Sequence, residues 1–147
     1  MEELEALLTG QGVANVYRLM SRAAVETIIA TVEAHGWRCF AIDGAAVTDK
    51  KSFLECSAAI MRFPAYWGQN WDAFEECLFD LSWAPAVGYV LLYDDVENFA
   101  RQSPQEWSVA YDILTEAVSR WQKLGVPFVV LMRKTGHLVR GLPRLTL

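Results

Sequence analysis

Apolar positions along this chain follow two alternating periods, one suited to helices and one to buried strands. Over residues 21–34, Ala24, Val25, Ile28, Ile29 and Val32 share one helical face, and Gly36 ends the run. Residues 37–42 are a short apolar stretch closed by the turn pair Asp43-Gly44, which predicts a buried strand. Asp49 caps a helix through Phe53, Leu54, Cys56, Ala59 and Ile60 to Met61. Phe63-Pro64 ends it, because the residue before a proline avoids the helical region. A loop over 65–69 then leads into a helix expected over 70–81. Residues 87–93 are almost wholly apolar, the pattern of a strand covered on both faces. A short helix over 96–100 precedes Ser103-Pro104, an N-cap with proline at the first helical position. The long helix that follows buries Trp107, Tyr111, Leu114, Val118 and Trp121 and stops near Gly125. Residues 126–132 form the last strand, with Pro127 near its start, where a missing N–H donor is tolerated.

Three apolar strands separated by helical stretches predict an α/β fold with a small parallel sheet and right-handed crossovers. Residues 35–133 make up that core. Residues 1–34 read as an extension with a helix, packed on or flanking it, which adds a strand and helix or serves another contact. Residues 134–147 read as a tail with Lys134, Arg140, Arg144 and two glycines. At 147 residues, 53% of them hydrophobic, the chain has the length of one domain and enough apolar material for a core. No apolar run reaches the roughly 18 residues that span a bilayer. The opening MEELEALL is acidic, unlike a secretory signal. Three cysteines, Cys39, Cys56 and Cys77, without a C-x-x-C pair suggest neither a disulfide framework nor a zinc site, and a cytoplasmic setting is expected.

Charge sharpens the picture. The formal net charge is −5, but residues 63–100 hold seven acids and no Lys, Arg or His, whereas residues 101–147 hold three acids and seven bases. A middle quarter without a cation projects negative potential, which repels nucleic acid and attracts basic partners.

That acid is concentrated on the helix opened by Asn70. At 100° per residue, with Asp72 as origin, Trp71, Phe74, Cys77, Leu78 and Leu81 form one apolar stripe. Glu76 lies at about 40°, Asp80 at about 80°, Phe79 at about −20° and Glu75 at about −60°, so four carboxylates share the outward face with Phe79. Such a face is either simply solvated or a binding surface. Phe79 is either an interface anchor or packed under the neighbouring loop. The leader Pro64-Ala65-Tyr66-Trp67-Gly68-Gln69-Asn70 favours binding. Adjacent loop aromatics make sense if one is buried and one displayed, Gly68 suggests a backbone other residues avoid, and Asn70 is a good N-cap.

At these residues the chain resembles the barstar family, the bacterial intracellular inhibitors of ribonucleases. FPAYWGQNWDAFEECL, residues 63–78, carries the family's pattern of proline, two aromatics, glycine, any residue, asparagine, an apolar residue, Asp-Ala, then an acid and cysteine. The resemblance implies a barstar-like three-stranded parallel sheet packed with helices, plus the N-terminal extension. It also implies inhibition by occlusion, with the loop and helix plugging a basic ribonuclease's active site one to one and carboxylates sitting where RNA phosphates would. Tyr66, Asp72 and Glu76 fall on the family's contact positions. With Trp67, Gly68, Asn70, Glu75, Phe79 and Asp80 they make up the candidate partner-binding set. The chain departs from the pattern in four places. Glu76 stands for a typical Asp, Glu75 for an aromatic, Asp80 for glycine, and Arg120 for an acid on the last long helix.

Enzymatic readings lack parts. G-x-S-x-G, a phosphate-cradling glycine loop and H-E-x-x-H are all missing from the sequence. His35 and His137 sit at a helix end and in the tail, and Cys77 lies on the apolar stripe. No catalytic residue, cofactor or metal is expected, and neither nucleic acid nor membrane is expected as a partner. The reading is a stoichiometric inhibitor of a basic ribonuclease. The alternative is an acidic interaction module whose partner is not a nuclease, with an enzyme using Cys56 or His35 a distant third.

Overall fold

A computed structural model describes residues 2–147. Their order is α1 (Glu2–Leu8), β1 (Val16–Met20), α2 (Val25–Ala34), β2 (Arg38–Asp43), α3 (Lys50–Met61), α4 (Trp71–Asp80), β3 (Tyr89–Asp94), α5 (Glu97–Gln102), α6 (Pro104–Lys123), β4 (Phe128–Met132) and β5 (Arg144–Thr146). A short 3₁₀ turn, Gly44–Ala46, follows β2.

The sheet is parallel throughout, in the order β2-β3-β4-β1-β5. Three strands were expected and five are present. The expected three are β2, β3 and β4, side by side. β1 comes from the first 34 residues and pairs with β4, and β5 comes from the tail and pairs with β1. Both escape a pattern reading for physical reasons. β1 carries Arg18 at its centre, and β5 is three residues long with one buried side chain, Leu145.

Side-chain alternation divides the core in two. Tyr89, Leu91 and Tyr93 of β3 and Phe128, Val130 and Met132 of β4 face α3, α4, α5 and α6. Val90, Leu92, Val129 and Leu131 face the other way, onto Leu4, Leu7 and Leu8 of α1 and Ile28 and Val32 of α2. The N-terminal helices thus cover the sheet's second face, which is why β3 from Tyr89 to Tyr93 and all of β4 are apolar. Gly88, just before β3, lies against the Trp37 indole, where a Cβ would come within 2.5 Å of the ring.

Local chemistry sets the helix ends. Asp49 accepts the Ser52 N–H at 2.9 Å in a reciprocal capping box that opens α3. α3 closes on Arg62 in the left-handed region, φ 54°. Ser103 precedes α6 but does not cap it with its side chain. Its hydroxyl donates instead to the Thr48 carbonyl at 2.9 Å, tying α6 to the start of α3. α2 begins four residues later than its pattern suggests, because Ser21 Oγ accepts the Ala23 N–H at 3.0 Å and Ala24 before the helix is extended. Among the described residues no helix is long and apolar enough to cross a membrane.

Candidate functional site

The loop between α3 and α4 is anchored by aromatics. Phe63 meets Trp67 and Trp83 edge-on, with ring centroids 5.3 and 5.9 Å apart, and Trp83 Nε1 donates to the Met61 carbonyl at 2.9 Å. Trp67 is therefore half-buried on the core, while Tyr66 beside it is 85% exposed. One aromatic holds the loop and the other is displayed. The left-handed residue here is Gln69, φ 57°, not Gly68. Gly68 is favoured by space, since a Cβ would come 3.2 Å from Asn70 Nδ2. Asn70 caps α4 by accepting the Ala73 N–H at 2.8 Å, and its amide donates to the Gly68 carbonyl at 3.3 Å.

Along α4 the apolar stripe is buried at Phe74, Cys77 and Leu78, and at Leu81 just beyond. Two indoles fix the helix to α6. Trp71 Nε1 donates to Glu106 Oε2 at 2.8 Å near its start, and Trp121 Nε1 donates to the Leu78 carbonyl at 3.0 Å near its end. The outward face is thereby held by both termini. On it Asp72, Glu76 and Asp80 are exposed and Glu75 is half-buried. Among the described residues none of these carboxylates forms an ion pair. Asp80 accepts only the Ser82 hydroxyl at 3.1 Å. Phe79 is half-buried, packed against the core with the Arg120 guanidinium 4.8 Å above its ring, and Arg120 Nε reaches Glu116 at 3.2 Å. The helical projection left Phe79 outward, and contact with α6 brings it partly in.

Unneutralised carboxylates on a braced helix project negative potential from that face. Burial raises the Cys77 thiol, and the Asp80 and Glu76 carboxylates add to the rise. Burial pushes Cys39 up to about 12 and also raises Cys56. All three thiols are held protonated at neutral pH. His35 sits at the end of α2 with Nδ1 2.9 Å from the Thr31 carbonyl. Among the described residues no cluster of His, Cys, Asp or Glu could hold a metal ion.

One charged pair escaped the sequence reading. Asp94, at the end of β3, takes two hydrogen bonds from Arg133 at 3.0 and 3.1 Å, and Arg133 also donates to the Ser21 and Ala23 carbonyls. Hydrogen bonding from Arg133 holds the Asp94 carboxyl below its usual range. The available signal was an acid and a base each ending an apolar strand, and the parallel register places them side by side.

A family model described as Barstar (barnase inhibitor) matches residues 37–133, about two thirds of the chain. No curated protein matches. Among solved structures, the ORC2 protein of Aeropyrum pernix, in ADPNP-ADP complexes, superposes with a TM-score of 0.58 at 14% sequence identity. That match covers 90% of this chain but only 38% of the other, and at such identity it shows a shared fold alone.

Proposed function

Because this chain belongs to the barstar family of barnase inhibitors, we propose that it inhibits a basic ribonuclease by inserting the α4 face and its leader loop into the active site. Asp72 and Glu76 pair there with the arginine, lysine or histidine groups that otherwise bind RNA phosphates. Tyr66 packs beside them, and Trp67, Gly68 and Asn70 hold the loop in shape. Glu75, Phe79 and Asp80 border the contact. The observation that carries this reading is the acidic face itself, which forms no ion pair among the described residues and is braced to α6 by two indole hydrogen bonds. A surface prearranged in the free protein binds without a large ordering cost.

The test is titration of RNA cleavage by barnase, and by the small basic ribonucleases of the source organism, against this protein. Inhibition that is complete at one equivalent supports the proposal. A complex that forms while RNA cleavage continues would instead identify an acidic interaction module with a different role. Inhibition of none of these enzymes would count against the proposal outright.

A further inference from the structure

The face described above uses neither the N-terminal 34 residues nor the basic tail, yet the fold brings these two together. β1 and β4 are neighbours, and their carboxyl ends open onto a crevice of about 480 Å³ lined by Arg18, Ser21, Arg22, Lys134 and Thr135. It adjoins a second hollow lined by Ser21, Arg22, Arg133 and Lys134. Every charged residue lining the two is a cation, in a chain with 18 acids and 13 bases. Arg133 is committed to Asp94, but Arg18, Arg22 and Lys134 form no ion pair among the described residues. Arg22 and Lys134 are exposed. Arg18 donates through Nη2 to the Val139 carbonyl at 2.8 Å, while its Nε is buried without a partner. An adjacent anion would offset that desolvation electrostatically.

The topology supports the same place. After β1 the chain turns into α2 on one face of the sheet, and after β4 it runs into a tail whose Val139 packs on the other face. Connections that part to opposite faces leave a crevice at the strand carboxyl ends, where open parallel sheets bind ligands. Its volume suits a small molecule rather than a nucleic-acid tract.

We propose that this crevice binds a small phosphorylated ligand, with Arg22 and Lys134 as its principal contacts and Arg18 behind them. No residue of α4 or its leader lines it, so the proposal stands apart from ribonuclease inhibition. Calorimetric titration of the full chain with sodium pyrophosphate, and separately with adenosine monophosphate, tests it at physiological ionic strength, with sodium sulfate as the control anion. The expected result is saturable one-to-one binding of at least one phosphate compound, stronger than sulfate. Binding confined to pyrophosphate assigns the site to phosphate alone, and tighter binding of the nucleotide adds a base contact. Arg22→Ala combined with Lys134→Ala, both at exposed positions, should lower the affinity by roughly ten-fold or more with an unchanged circular dichroism spectrum. Absence of saturation at millimolar ligand, affinity equal to sulfate, or undiminished binding by the double variant would overturn it.

Discussion

Asp72 and Glu76 are four residues apart on one helix, and like charges at that spacing cost a few tenths of a kcal/mol rather than stabilise. The proposed function places their value in contact with the ribonuclease. Replacing either by alanine should therefore leave thermal stability within about 1 kcal/mol while weakening ribonuclease binding by about 2 kcal/mol or more, as at a desolvated charged hot spot. Thermal melts beside titrations of each variant separate the two effects, and an equal loss of stability would make these carboxylates structural. Asp94 is the opposite case. Its Arg133 partner is mostly buried and also holds two carbonyls of the β1–α2 turn. Asp94→Ala strands that guanidinium and should cost about 3 kcal/mol in denaturant unfolding. The sign of the pH dependence follows from the lowered carboxyl of Asp94. Its contribution is present above the ordinary carboxylate range and lost as pH falls through the depressed folded-state value. Asp94→Asn should therefore flatten the acid limb of the stability profile, and a limb of unchanged slope would assign it to other groups.

At the scale of elements, α4 is positioned by its cap and its indole staples. Asn70→Ala removes the cap bond to Ala73 and should cost about 1 kcal/mol. It should also loosen the leader loop, so the ribonuclease dissociation rate rises together with the fall in stability; a dissociation rate unchanged in stopped-flow competition would show that the cap serves folding only. The stripe of Phe74, Cys77, Leu78 and Leu81 was legible in the sequence because a 3.6-residue period survives folding unchanged. So were β3 and β4, whose apolar runs are long, and β2, whose shorter run is closed by the Asp43-Gly44 turn pair. The Asn70 cap and the division of labour between Tyr66 and Trp67 were legible for similar local reasons. What could not be read depends on distant partners. Phe79 is drawn inward by Arg120, 41 positions along the chain. Trp71 is oriented by Glu106, and Asp94 by Arg133. β5 has one buried side chain, too few for any period, and exists because β1 offers it an edge. Leu145→Ala should cost about 2–3 kcal/mol by denaturant unfolding if β5 belongs to the cooperative core, and less than 1 kcal/mol if it is an appendage.

For the molecule as a whole, the uneven charge along the chain becomes two surfaces. α4 displays unpaired acids, while the β1–β4 carboxyl ends gather cations from both terminal segments. The sheet carries helices on both faces, so neither surface has to supply the core and each is free for binding. An acidic surface of this kind speeds encounter with a basic enzyme through long-range attraction, so association should slow steeply as salt rises while dissociation changes little. Stopped-flow measurements across ionic strength check this, and a salt-insensitive association rate would remove electrostatic steering. The decisive measurement is a crystal structure of the chain bound to its ribonuclease. Asp72 and Glu76 should lie in the enzyme's cleft, within ion-pair distance of its cationic side chains. A complex in which α4 faces solvent while another side grips the enzyme would contradict phosphate mimicry.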